Sequence, residues 1–437
     1  MANPDATTLP GPDFIDTLPP TPPAPAPARR PRSDAADRLV FFFSGFDPKG
    51  ATFYHRLFRS GIAQRNASHD ETLAVGGRRR IGRWASVWTA LWRGAPAAGI
   101  ERPATMRTRV HFMRWEDLVR RHWRREAGQL ARDYWNVYLR GLLDGVLWRI
   151  RRQSPSAFGL ALLPLGVLLF SLMCGLLLAS VGLLLPGVLP AASALGLGMV
   201  AGLLGWRALA RSLDCEWLLR LFAFMREKAI GQAPAVDVRL EELADRVVEA
   251  VEARLRQPDA GPLQEVMFVG YSTGSVMAPS VLARALARLE ELLDSRRTGG
   301  GATLAMVTLG HCVPIASEWP GARRFRADLD LLSECTRLTW HDYSSSADRA
   351  AFWRQPPWPV PARLHGHQGT PRFRSRRPSA VEYAAQRRDH RDTHLQYLQP
   401  PTSKSDTDTY DFFALICGPA TLAQRHSALR VDVRVAG

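Results

Sequence analysis

The chain has 437 residues, 46% of them apolar, and a formal net charge of +16, which is length enough for one large domain or two ordinary ones. The basic excess is nearly all arginine, because Lys49, Lys228 and Lys404 are the only lysines. No zinc-finger, RNP-like or helix-turn-helix pattern accompanies it, so nucleic acid is not expected as a partner, and the scattered Cys174, Cys215, Cys312, Cys335 and Cys417 exclude a disulfide framework or CxxC metal site.

Residues 1–37 carry LPPTPPAPAPARRPR, a composition with too little apolar surface to offset ordering, and are expected to form a disordered tail without a secretory signal. Residues 39–43 (LVFFF) predict a buried strand that runs into the turn-forming Ser44-Gly45-Phe46-Asp47-Pro48-Lys49-Gly50. Trp84, Trp88 and Trp92 follow at a spacing of one helical turn among Arg79, Arg80, Arg83 and Arg93. That pattern suits either a membrane-surface helix or a helix packed on a soluble domain. Residues 109–113 predict a second strand, and 115–149 a long helix leading towards the membrane.

Residues 157–185 and 188–206 are uncharged, apolar and each long enough to cross ~30 Å of hydrocarbon. With Pro186-Gly187-Val188-Leu189-Pro190 as the turn, they predict a transmembrane helical hairpin, in which Gly198 and Gly202 permit close helix contact. Arg149, Arg151 and Arg152 precede it and Arg207 and Arg211 follow it, while the turn is uncharged, so the positive-inside rule puts both ends in the cytoplasm. The expectation is a multi-pass protein of the cytoplasmic membrane.

Beyond the hairpin, Leu240, Leu243, Val247, Val248, Val251 and Leu255 form one stripe of an amphipathic helix with Asp237 as its N-cap. Apolar runs at 265–269, 303–309 and 337–340 alternate with helical patterns such as 276–293, which predicts a parallel sheet with helical crossovers.

Gly270-Tyr271-Ser272-Thr273-Gly274 is a GxSxG string set between a predicted strand and a predicted helix. In that context Ser272 is the candidate nucleophile, exposed on a sharp turn that the small Gly270 and Gly274 allow. The N–H of Thr273 is placed to hold an oxyanion, and Phe46 N–H, in the loop after the first strand, is the candidate second donor. A triad in the order Ser, acid, His takes Asp348 as the acid, with Asp342 second. Among His365, His367, His390, His394 and His426 it takes His394 as the base, with His390 next.

An early strand with its loop, GYSTG at an elbow, VTLGH on the next strand, and then Asp348 and His394 resemble the α/β-hydrolase superfamily, its lipase- and esterase-like members especially. The resemblance covers 38–430. It implies an α/β fold with a mostly parallel sheet flanked by helices, divided into 38–152 and 213–430 by the hairpin at 157–206. It further implies acyl transfer in which Ser272 attacks, His394 carries the proton, Asp348 orients the imidazole and water releases the acyl group, with no metal or cofactor. Between Gly50 and Gln264 the chain departs from the usual pattern because the hairpin interrupts it. The bilayer and an acyl lipid or acylated substrate are the expected partners; a catalytically silent membrane scaffold of the same fold is the alternative.

Overall fold

The computed structural model describes residues 35–94, 105–123, 126–184, 190–213, 215–257, 261–294, 301–345, 347–353, 355–357, 372–376, 390–400 and 410–425. The tail at 1–34, most of the hairpin turn and the end of the chain after 425 lie outside them.

In chain order, β1 (Ala36–Phe43) and α1 (Ala51–Asn66) lead to β2 (Thr72–Val75), β3 (Arg79–Ile81), β4 (Ala85–Arg93) and β5 (Thr105–Met113). Helices α2 (Glu116–Trp123), α3 (Ala127–Tyr134), α4 (Arg140–Leu143) and α5 (Val146–Gln153) follow, and then the long pair α6 (Pro155–Leu183) and α7 (Ala191–Ser212). Next come α8 (Glu216–Ala229), α9 (Pro234–Leu255), β6 (Leu263–Tyr271), α10 (Gly274–Asp294), β7 (Thr303–Leu309), α11 (Val313–Ser317), α12 (Arg323–Glu334), β8 (Leu338–Ser345) and β9 (Arg372–Arg376). Short helices at His390–Leu395, continued by a 3-10 turn at Gln396–Leu398, and at Phe412–Cys417 follow the last strand.

The nine strands among the described residues share one sheet in the order β2-β4-β5-β1-β6-β7-β8-β9, with β3 on β4. Every pairing from β5 to β9 is parallel, and β4 runs antiparallel to β2, β3 and β5. Because β1 lies between β5 and β6, the segments before and after α6 and α7 build one sheet rather than two domains. Alternation along β1 shows how it is buried on both faces: Phe41 and Phe43 join the core under α9, α10 and α12, whereas Val40 and Phe42 join the core under α1 and Phe412–Cys417. Full burial of each of these side chains contributes about 1.5–3 kcal/mol.

Several expectations change. Trp88 and Trp92 lie on β4, not on a helix, and both are buried. A spacing of four residues repeats on one face of a strand as well as on a helix, so it does not separate the two periods. Residues 115–149 do not form one helix: Glu126 is extended ahead of α3 and Gly145 at φ +70° separates α4 from α5, while the helix between them runs on through a π-helical turn at Trp135–Leu139. Helix α9 begins with Pro234 after Ala233, which leaves Asp237 inside the first turn and not at the cap. Strand β8 runs on past Trp340 to Ser345 and so contains Asp342.

Helices α6 and α7 are long and apolar enough to cross a membrane, and they expose Leu169, Phe170, Met173, Leu176, Leu177, Val200, Leu203 and Leu204. They pack through glycine: a Cβ on Gly175 would stand 2.5 Å from the carbonyl oxygen of Gly198 and 2.9 Å from the Cα of Gly202.

Candidate active site

Strand β6 ends at Tyr271 and α10 starts at Gly274, so the chain turns from strand to helix across Ser272 and Thr273. Ser272 has φ +56°, the one positive value for a non-glycine residue among the described residues. Such a conformation costs about 1–3 kcal/mol and persists only where surroundings over-determine it. Here Ser272 N–H donates to Leu309 O at 2.9 Å, which ties the turn to β7. From the other side the Ser275 hydroxyl donates to Ser272 O at 2.5 Å and accepts Cys312 N–H at 3.3 Å. The flanking glycines are required by contact: a Cβ on Gly270 would lie 2.6 Å from Gly274 O, and one on Gly274 only 2.1 Å from Phe43 O. Both obstacles are backbone and cannot swing away.

The loop after β1 closes over this turn. A Cβ on Gly45 would come within 3.0 Å of Ser272 Cβ and 3.3 Å of its Oγ. Phe46 anchors the loop by burying its ring near Trp123 and Phe224, at centroid distances of 6.0 and 5.2 Å. The N–H groups of Phe46 and Thr273 donate to no backbone or side-chain acceptor among the described residues. Thr273 also stands at the N-terminus of the 21-residue α10, where the helix dipole favours negative charge.

The structure brings Asp348 and His394 together. His394 Nδ1–H donates to Asp348 Oδ2 at 2.8 Å, with the carboxylate 2% and the imidazole 21% exposed. Asp342 is engaged elsewhere: its carboxyl accepts Thr308 Oγ1–H at 2.6 Å and Ser344 Oγ–H at 2.8 Å, and burial raises its pKa. His390 begins the helix His390–Leu395, but its side chain lies outside the described residues, as do His365, His367 and His426. Burial alone would lower the pKa of His394, but the charge and hydrogen bond of Asp348 outweigh it, and the net shift is upward from 6.5.

Two tyrosines that the sequence did not single out hold this pair. The Tyr271 hydroxyl donates to His394 O at 3.0 Å, and its ring lies 5.2 Å from the imidazole, which places His394 beside the residue that precedes Ser272. The Tyr397 hydroxyl donates to the same Asp348 Oδ2 at 3.0 Å while accepting Ser345 N–H at 3.0 Å. Gly310, at φ +55°, leaves room for the Tyr397 ring, whose Cε2 would be 2.4 Å from any Cβ there. Tyr271 stood in view as the second residue of GxSxG; nothing in the local pattern around Tyr397 marked it. Tyr397→Phe takes one donor from Asp348, so its carboxylate attracts the imidazolium more strongly. His394, followed by NMR, is expected to titrate at higher pH in that variant, with about 1–3 kcal/mol of stability lost as Ser345 N–H loses its acceptor.

Cys312 lies close by, but burial pushes its thiol up to about 12, so it is no competing nucleophile. Among the described residues no group of three or more His, Cys, Asp or Glu is placed to hold a metal ion. The chain matches no protein-family model, no curated protein and no solved structure.

Proposed function

We propose that the chain is a membrane-anchored serine hydrolase of the α/β-hydrolase type that cleaves an ester or thioester, with an acyl lipid as substrate. The observation that carries this reading is the Asp348–His394 hydrogen bond beside an elbow that holds Ser272 at positive φ. Ser272 Oγ attacks the acyl carbonyl while its proton passes to His394 Nε2. The N–H groups of Thr273 and Phe46 stabilise the oxyanion of the tetrahedral intermediate. Collapse breaks the bond to the alcohol or thiol, which leaves with the proton from His394. Water, deprotonated by the same imidazole, then attacks the acyl-enzyme and frees the acid and Ser272. Every proton and electron pair is accounted for without a cofactor.

The exposed apolar faces of α6 and α7 support a hairpin in the cytoplasmic membrane, and arginines at both of its ends support a catalytic domain on the cytoplasmic side. An acyl lipid follows from that location, since the site would meet membrane lipid at high local concentration.

Labelling of the detergent-solubilised protein with a fluorescent fluorophosphonate tests the activity. The native chain is expected to label, whereas Ser272→Ala and His394→Ala are not, with turnover of an activated ester falling roughly 10⁶-fold in the serine variant. A folded native chain that takes up no label would favour a silent scaffold of the same fold.

A further inference from the structure

Helix α6 changes character at Pro164. Before it, Ala157 and Ala161 are buried, and Phe158 and Leu162 pack on the main core. From Leu169 onwards the helix exposes leucine, phenylalanine and methionine. Helix α7 changes at a matching level, where exposed Leu203 and Leu204 give way to Trp206 and Arg207. One residue touches both transitions: the Tyr134 hydroxyl donates to Pro164 O at 3.2 Å, and its ring lies 6.3 Å from that of Trp206.

The segment around Tyr134 runs along the base of α6, with the Tyr138 hydroxyl donating to Ala161 O at 2.8 Å. Val137 and Tyr138 face inward, while Trp135 is 57% and Leu139 37% exposed. Arg132, Arg140, Arg207 and Arg211 flank this level and are all exposed. Large apolar side chains left in water between arginines are unfavourable for a soluble surface but match the boundary between hydrocarbon and anionic headgroups. From Leu165 to Leu183 the helix then extends about 28 Å at about 1.5 Å per residue, close to the ~30 Å of a bilayer's hydrocarbon.

We propose that Trp135 and Leu139, with Tyr134 and Trp206, form an interfacial belt that sits in the headgroup layer of an anionic bilayer, so that the catalytic domain is seated on the membrane in a fixed attitude. The surface is continuous with the apolar faces of α6 and α7, and its arginines complement acidic lipid. The proposal rests on the membrane reading above and is independent of the hydrolase chemistry.

The test uses the full chain with Cys174→Ala and Cys335→Ala, reconstituted in phosphatidylcholine–phosphatidylglycerol vesicles and spin-labelled singly at Trp135→Cys, Leu177→Cys or Leu331→Cys. Relative accessibility to oxygen and to a polar nickel reagent is read for each. Expected is a deep lipid position for 177, an aqueous one for 331 and a shallow headgroup position for 135. A label at 135 as aqueous as that at 331, with 177 still deep, overturns the belt and leaves the hairpin standing. Strong spin–spin broadening at 135 without access to oxygen assigns the face to a second copy and also overturns it. An aqueous 177 removes the membrane reading and the belt with it.

Discussion

Asp348→Asn is expected to lower turnover of an activated ester by roughly 10⁴-fold, the scale on which losing the triad acid acts in serine hydrolases. Much of that loss is orientational: the carboxylate accepts from Nδ1–H, which leaves Nε2 free to take a proton, and an amide in its place no longer fixes that tautomer. The pH profile of the residual activity carries the sharper information. In the proposed mechanism the unprotonated imidazole is the working form, so activity is expected to fall as pH drops through the raised pKa of His394, which places the acid limb of the wild type above 6.5. Burial opposes the imidazolium and Asp348 favours it, so removing the Asp348 charge leaves burial alone. The acid limb of Asp348→Asn is therefore expected at lower pH than in the wild type. Asp342→Asn, held between Thr308 and Ser344, is expected to leave both the limb and turnover nearly in place. An unmoved limb in Asp348→Asn together with a shifted one in Asp342→Asn would reverse the roles of the two carboxylates.

The parts legible from sequence are those where local chemistry and three-dimensional placement impose the same demand. Gly270 and Gly274 could be read because a strand-to-helix turn needs small residues, and the backbone of β1 turns out to occupy the space that side chains would fill. The parallel run β6-β7-β8 could be read because strands buried on both faces appear as unbroken apolar runs, a signal that survives without knowledge of the neighbours. The tryptophans of β4 were misread because four-residue spacing satisfies two periodicities, and the antiparallel partners that decide between them, β2 and β5, are set by tertiary pairing. The long helix expected at 115–149 is interrupted at Glu126 and Gly145, single-residue backbone changes that a pattern of apolar spacing does not register. Tyr397 could not be read at all, since its hydroxyl meets Asp348 from 49 residues away and no local pattern encodes that meeting.

The largest expected effect on stability lies away from the site, at a pair buried in the centre of the sheet. Arg38 on β1 and Glu265 on β6 are register partners that form an ion pair at 2.7 Å with both side chains fully buried. Arg38 also donates from Nη1 to Ile416 O and Gly418 O at 2.8 Å and from Nη2 to Ala420 O at 2.7 Å, while Glu265 Oε1 accepts Leu422 N–H at 2.7 Å. The pair thus fastens the last described turn of the chain beneath β1, the strand that also carries the Gly45–Phe46 loop. Glu265→Ala leaves a guanidinium buried without a counter-charge, which is expected to cost about 3–5 kcal/mol. It should lower the thermal midpoint of the detergent-solubilised protein by roughly 2 °C per kcal/mol. Many buried ion pairs can be exchanged for apolar residues at little cost. This one differs, because Arg38→Met with Glu265→Leu removes the charges yet strands the carbonyls of Gly418 and Ala420 and the N–H of Leu422, while Ile416 O keeps the Thr108 hydroxyl, at about 1–3 kcal/mol for each group left unsatisfied. The double variant is therefore expected to remain clearly destabilised. Recovery of the wild-type midpoint would mean that water or a shifted backbone satisfies those groups, and that the C-terminal segment is held by the packing of Phe412 and Phe413 on Phe58 and by the Arg65–Asp411 ion pair instead.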